Sequence, residues 1–157
     1  MTITLRDLRD SEPDQLFEWE RHPAAVEMAA FTRADPSDRV AFDTHYERVR
    51  NDPSVILRAI DDGDGLVGTI ASFTMDGDRE VSYWIDPARW GEGLASAALG
   101  AFLSVETTRP LFARVAEHNP GSARVLARAG FAEIGTETSF ADGLGRDVVE
   151  HTYRLAP

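Results

Sequence analysis

The stretch that most limits what this chain can become is Asp86-Pro87-Ala88-Arg89-Trp90-Gly91-Glu92-Gly93-Leu94-Ala95-Ser96. Glu80 to Ile85 runs into it as a strand. Glu92 to about Val105 runs out of it as a helix, with Leu94, Ala98, Leu99, Phe102 and Leu103 along one side. The run Ala95-Ser96-Ala97-Ala98 is small enough for that helix to lie close on a sheet. Gly91 and Gly93 let the connection turn sharply. They leave backbone N–H groups uncovered at a helix N-terminus, where an anion can approach closely. We read the turn as a cradle for the pyrophosphate of a cofactor. Taken alone, the two glycines are equally consistent with a tight turn and nothing more. A phosphate-hydrolysing nucleotide loop is disfavoured, because no Lys-Ser/Thr pair follows the glycines.

The rest of the chain supplies elements around this turn. Thr2 to Leu8 alternates as an edge-like first strand. Ser11 or Asp14 caps a helix carrying Leu16, Phe17 and Trp19. Pro23 interrupts that helix and opens a second, Ala24 to Ala30. Pro36-Ser37 starts a third, with Val40, Phe42, Tyr46 and Val49 at helical spacing. Ser54–Ile60 and Leu66–Met75 follow as strands around the acidic turn Asp61–Gly65. Asp76-Gly77-Asp78 is a hairpin signal that sends Glu80–Ile85 back alongside.

Beyond the glycine turn and its helix, Leu111–Glu117 is a strand. Asn119 is a good N-cap, with Pro120 at the first helical position, where its missing N–H is harmless. Ser122, Val125, Leu126 and Ala129 continue that helix and Gly130 stops it. Phe131–Thr138 and Arg146–Leu155 are the closing strands, joined through Ala141–Gly145. The two strand–helix units between Glu80 and Ala129 place their strands parallel by a crossover, whereas the flanking hairpins are antiparallel. The expectation is one domain, 1–157, with a mixed α/β sheet that is not doubly wound.

Composition narrows the chemistry. The chain has 157 residues and no cysteine, so thiolate metal sites, disulfides and a cysteine nucleophile are excluded. Its net charge of −11 comes from scattered carboxylates, and no long basic tract occurs. Wrapping nucleic acid needs clustered Lys and Arg, so that partner class is not expected. An acidic surface tolerates a cationic or amine substrate better than an anionic one, although such charge also serves solubility alone. No apolar run approaches the roughly 18 residues that span a bilayer. Met1 to Arg6 reads as a strand, not as a leader segment. A cytoplasmic protein is the expectation.

Three motifs carry a resemblance. Trp90-Gly91-Glu92-Gly93-Leu94-Ala95 is similar to the pyrophosphate loop of the GNAT N-acetyltransferase superfamily, usually written Gln/Arg-x-x-Gly-x-Gly/Ala. Gly91, Gly93 and Ala95 fit it, and Trp90 stands where Gln or Arg is usual. Tyr83-Trp84-Ile85-Asp86-Pro87 resembles the family strand that pairs with the pantetheine arm. Asn119-Pro120-Gly121-Ser122-Ala123-Arg124-Val125-Leu126, closing with Gly130-Phe131, looks most like the branch that acetylates the N-terminal alanine of ribosomal proteins. The resemblance covers nearly the whole chain. It implies a mostly antiparallel sheet with two central parallel strands that splay, and helices on both faces.

It also implies acetyl-CoA as cosubstrate, no metal, and transfer of an acetyl group to an amine, either a peptide N-terminus or a small molecule. Trp84, Ile85, Trp90, Gly91, Glu92, Gly93, Leu94, Ala95, Ser96, Asn119 and Ser122 are then the expected cofactor contacts, with Arg124 and Arg128 near the 3′-phosphate. Attack on a thioester needs a neutral amine. An alkyl ammonium of pKa about 10 is rarely neutral at pH 7, and a chain N-terminus of pKa about 8 is so about a tenth of the time. A base must therefore take the proton. Glu80, at the start of the strand, is the first candidate, and His118 is the second. Many family members place a Tyr seven residues after the Asn to protonate the leaving thiolate. Leu126 occupies that position here, and Ser122 is the expected substitute. Each of these residues also has a plain structural role available: strand end, loop and helix cap. Trp19, His22, Phe31, His151 and Tyr153 are candidate walls of the acceptor pocket. The last two strands offer an edge for a homodimer. Because Leu126 cannot donate a proton, a non-catalytic acyl-CoA-binding sensor of the same fold is the alternative.

Overall fold

In the computed structural model, which describes residues 2–157, seven strands form one sheet with helices on both faces. The chain runs β1 (Thr4–Arg6), α1 (Pro13–Glu20), α2 (Pro23–Ala29), α3 (Arg39–Asn51), β2 (Ile56–Asp61), β3 (Leu66–Met75) and β4 (Asp78–Ile85). A 3₁₀ turn, Pro87–Arg89, leads to α4 (Leu94–Phe102), β5 (Leu111–Ala116), α5 (Pro120–Arg128), β6 (Ala132–Ala141) and β7 (Arg146–Leu155). Met1 lies outside the described residues. The strand order is β1-β2-β3-β4-β5-β7-β6, and the β4–β5 pair is parallel while its neighbours are antiparallel. The expected mixed sheet with one central parallel pair is the observed one.

Alternation along β4 assigns the two faces. Val81, Tyr83 and Ile85 turn toward α4 and α5. There Ile60, Ile70, Leu94, Leu99, Phe102, Leu111, Val115 and Leu126 complete the main core. Trp84 turns the other way, onto Leu16, Phe17, Trp19 and Phe42 of α1 and α3. Phe17 and Phe42 meet edge to face, with centroids 5.2 Å apart. No helix is long and apolar enough to cross a membrane among the described residues.

Several element ends differ from the sequence expectation, each for a local reason. β1 is three residues long, because after Arg6 the chain turns to α1, and the Arg6 guanidinium binds Glu12 at 2.7 Å and Asp61 at 2.8 Å. Neither Ser11 nor Asp14 caps α1. Glu12 occupies the N-cap position, but its carboxylate serves Arg6 and the Arg9 N–H. The cap of α2 is His22, whose Nδ1 accepts the Ala24 N–H, and α3 waits for Asp38, which accepts from Ala41. β6 continues through Ala141, beyond the expected Thr138, as an edge strand paired only with β7. Ile134 and Phe140 are exposed along it.

One buried ion pair fixes the connection below β4. Arg79 Nε meets Glu106 at 2.6 Å, and the same carboxylate accepts the Thr108 N–H. Burial alone would raise the Glu106 pKa. Hydrogen bonds from Arg79, Ser72 and Thr108 outweigh it and bring the value down to about 2.

Candidate active site at a split between two parallel strands

β4 and β5 pair at a single position, Glu80 opposite Phe112. β4 meanwhile keeps unbroken register with β3 from Met75↔Asp78 to Gly68↔Ile85, and β5 keeps it with β7. Each strand is thus held on its outer side while the inner sides part beyond Glu80. The Asp86 N–H donates to Val67 of β3 at 2.9 Å. Backbone groups of successive strand residues point to opposite sides. The peptide groups of Tyr83 and Ile85 therefore face the gap, and those of Trp84 face β3. Gly68 confirms this orientation, because a Cβ there would fall 2.3 Å from the Trp84 carbonyl oxygen. From Glu80 to Ile85 the slot runs about 16 Å, long enough for an extended chain to add as a strand would.

The glycine turn closes the wide end of the slot. Gly91 and Gly93 both have φ +82°, a left-handed backbone that side chains rarely adopt, and Gly93 is the N-cap of α4. This is why the helix starts at Leu94 and not at Glu92. Apart from their chain neighbours, no protein atom lies within 4 Å of a Cβ built on either glycine, so both positions face open space into which side chains would project. Arg89 pins the turn through Asp62 at 3.0 Å and Glu92 at 2.9 Å. The Glu92 carboxylate is spent on that contact. Trp90 solves its departure from the motif in an unexpected way: its indole N–H donates to the Ile85 carbonyl at 3.1 Å.

The cleft so formed measures about 530 Å³. Its charged lining residues are Arg89, Arg124 and Arg128, with no acid among them, in a chain of net charge −11. Among the described residues neither Arg124 nor Arg128 has a carboxylate partner within ion-pair distance. A strand-length slot, an N–H cradle at a helix N-terminus and an arginine-only charged wall suit a long, anionic, two-amide ligand such as a CoA thioester.

α5 forms the second wall. Asn119 caps it by accepting the Ser122 N–H at 3.2 Å, and its amide reaches the Met28 carbonyl of α2 at 3.4 Å. Ser122 Oγ lies 2.6 Å from the phenol oxygen of Tyr83, which crosses from β4. Burial pushes the Tyr83 pKa up, and the Ser122 contact partly offsets this. Leu126 is 1% exposed within the main core, so its position does not reach the cleft.

On the opposite face of the sheet, at the narrow end of the slot, Glu80 is 4% exposed. Arg114 of β5 sits between it and Glu150 of β7, at 3.4 Å and 3.6 Å. Burial raises the pKa of both carboxyls, with Arg114 opposing and the neighbouring acids adding. Ser82 is exposed on the same face, between Glu80 and Trp84. The buried Trp84 indole N–H, on this face, has no hydrogen-bond partner among the described residues.

The expected site residues separate into two groups. Trp84, Ile85, Trp90, Gly91, Gly93, Leu94, Ala95, Ser96, Asn119 and Ser122 come together on the cleft. Neither Glu80 nor His118 is among its lining residues, and the His118 Nε2–H donates to the Glu27 carbonyl, tying α2 to the β5–α5 turn. The candidate acceptor walls are elsewhere. Trp19 is core, His22 is a cap, and Phe31 packs on Ala30 and Ala116. His151 is held by Glu133 and Glu117, and Tyr153 leans on the main core. Ala25, Met28 and Ala29 of α2 line the cleft instead. Tyr83, named from the sequence only as part of the pantetheine-pairing strand, also lines the cleft. Among the described residues no group of three or more His, Cys, Asp or Glu could hold a metal.

Residues 2–132 match the family model described as acetyltransferase (GNAT) domain. Solved structures of the same fold include spermidine N-acetyltransferase from Vibrio cholerae in complex with CoA and spermine (18% identity, 97% of this chain and 95% of that one, TM-score 0.77). AAC(6′)-Ib in complex with ribostamycin and coenzyme A is similar at 19% identity over 97% and 93%, TM-score 0.75. A GNAT-family acetyltransferase from Bacillus anthracis matches at 17% identity over 99% and 95%, TM-score 0.74. No curated protein matches the chain.

Proposed function

The chain belongs to the GNAT acetyltransferase family, and on that premise we propose that it moves an acetyl group from acetyl-CoA to a primary amine by direct transfer in a ternary complex. The observation that carries the proposal is the split between β4 and β5, opening onto an arginine-lined glycine turn. Acetyl-CoA supplies the activated thioester. The N–H groups of Gly91 to Ser96 and the α4 dipole bind pyrophosphate. Arg124 and Arg128 bind the 3′-phosphate. The gap-facing peptide groups of Tyr83 and Ile85 hold the pantetheine arm, less the Ile85 carbonyl that Trp90 already occupies. The chain has no cysteine to carry an acyl group.

Glu80 takes the proton of the bound ammonium, directly or through one water. Burial raises its pKa, so its carboxylate is a better proton acceptor than an ordinary one. His118 is the second candidate, with its Nε2–H held by the Glu27 carbonyl. Ser122 faces the leaving sulfur, since Leu126 does not reach the cleft.

The acceptor we favour is a small amine with further positive charge. Two carboxylates, the buried Glu80 and the partly buried Glu150, outnumber Arg114 at the narrow end of the slot. Two structures of the same fold bear the names of a spermidine and an aminoglycoside enzyme. A peptide N-terminus is the second acceptor, on the likeness of Asn119–Leu126 to the ribosomal-protein branch. The test is a panel of small polyamines, aminoglycosides, amino acids and alanine-starting peptides, followed by free CoA release, with CoA binding measured by calorimetry. CoA binding with acetylation of one amine class supports the proposal. CoA binding with no turnover for any amine favours the sensor alternative, and failure to bind CoA overturns both.

A further inference from the structure

We propose that Tyr83 works behind Ser122 as a positioning and proton-relay residue for the departing thiolate, replacing the phenol that Leu126 lacks. The inference rests on the acetyl-transfer reading above. Its starting point is chemical. A thiol has a pKa of roughly 8.5, and an aliphatic hydroxyl is a far weaker acid than that. Ser122 alone can hydrogen-bond a thiolate but cannot hand over its own proton and be left as an alkoxide. A phenol, ordinarily at a pKa of about 10 and raised by burial here, is still a far better proton donor than an aliphatic hydroxyl.

The geometry puts that phenol in place. Tyr83 Oη and Ser122 Oγ are 2.6 Å apart, at the short end for O–H···O contacts, and both residues line the cleft. Tyr83 comes from β4, three residues beyond the last position at which β4 and β5 pair, and it crosses to the first turn of α5. Its alternative acceptor, the Ser122 carbonyl, is farther away at 3.4 Å. With Tyr83 donating to Ser122 Oγ, the serine proton is free to point into the cleft.

The step balances as follows. The C–S bond of the thioester breaks with its electron pair on sulfur. Sulfur takes the Ser122 Oγ proton as Ser122 takes the Tyr83 Oη proton. The tyrosinate regains a proton from the solvent pool, to which Glu80 releases the one it took from the amine. No redox partner is required, and the net change is one proton moved from nitrogen to sulfur.

The experiment uses the full chain as wild type, Y83F, S122A and the double variant. Phe keeps the ring and its packing, so a fold defect is not expected, and circular dichroism checks this. The first readout needs no acceptor: the pKa of the bound CoA thiol, followed by thiolate ultraviolet absorbance with CoA as the probe. The donor chain stabilises the thiolate, so Y83F and S122A are each expected to titrate about one unit higher than wild type. The second readout is turnover with the best amine of the panel. Y83F is expected to lose about ten- to hundredfold in kcat with acetyl-CoA KM little changed, and to lose the high-pH limb that a required phenol imposes. The double variant falls no further than the worse single one, because the two groups act in one path. A Y83F protein with the wild-type thiol pKa and wild-type pH profile overturns the relay and leaves acetyl transfer standing. A wild-type protein that binds no CoA overturns the functional reading itself.

Discussion

Glu80→Gln should separate catalysis from stability in opposite directions. Glu80 is buried at the apex of the split, and Gln keeps its size while removing the charge. An alkyl ammonium of pKa about 10 is neutral in roughly one part in a thousand at pH 7. Without a base, transfer depends on that fraction, and positioned bases contribute about 10²–10⁴-fold. We expect kcat/KM at pH 7 to fall by about 10²-fold or more. The deficit should shrink roughly tenfold per pH unit above 7, as free amine replaces ammonium, while wild type stays nearly level.

Stability follows from the raised Glu80 pKa, caused chiefly by burial, with Arg114 opposing. A carboxyl whose folded pKa lies above its unfolded value of about 4.3 is stabilising while protonated, and that advantage is lost as pH rises through the folded value. Above that window the wild-type protein carries an ionised carboxylate that burial disfavours, and Gln carries none. Arg114 is one-third exposed and retains Glu150 at 3.6 Å, so it is not stranded by the change. E80Q is therefore expected to melt no lower than wild type at pH 7, and its advantage should vanish at acid pH. The assays are a pH–rate profile of CoA release and melting followed by circular dichroism at pH 4 and 7. Parallel pH–rate profiles of equal height would refute the base assignment. A large loss of melting temperature at pH 7 would refute the account of its burial.

Three further outcomes are expected. Gly93→Glu puts bulk, negative charge and a strained left-handed residue into the cradle, so calorimetry should detect no CoA binding. The strain costs about 1–2 kcal/mol, and the melting temperature should fall by only a few degrees. Arg124→Ala with Arg128→Ala should weaken CoA binding about tenfold or more at low salt, with a much smaller effect on dephospho-CoA. Equal losses for both ligands would remove these arginines from the 3′-phosphate. Glu106→Gln strands the buried Arg79 and should destabilise by about 3 kcal/mol, read by urea unfolding. Because the Glu106 pKa is depressed to about 2, that difference should be full above about pH 4.5 and fade as pH falls toward 2.

What the sequence could show was local. The Gly91–Gly93 turn, the Asn119 cap with Pro120 behind it, and the Asp76–Gly77 hairpin each depend on neighbours a few residues away, and each stands where expected. The start of α3 slipped by two or three residues, because Asp38 takes the cap, and α2 starts one residue early on the His22 cap. The groups that set the chemistry of the site are joined across the fold. Tyr83 meets Ser122 over 39 residues, and Glu80 meets Arg114 and Glu150 only because three strands align. Trp19, His22 and His151 serve as core, cap and ion-pair partner, duties that residue type alone does not reveal.

Trp90 shows the difference most clearly. By position, it replaces a polar or charged residue of the motif and reads as a loss. In space, its indole N–H satisfies the Ile85 carbonyl, which otherwise faces the gap unpaired, and so braces the strand end against the turn. The positive charge of the cleft meanwhile comes from Arg124 and Arg128, a helix away in sequence and on the facing wall. A motif is read residue by residue, but a phosphate responds to the summed field of whatever surrounds it. A departure at one motif position is therefore weak ground for predicting lost binding until the opposite wall has been located.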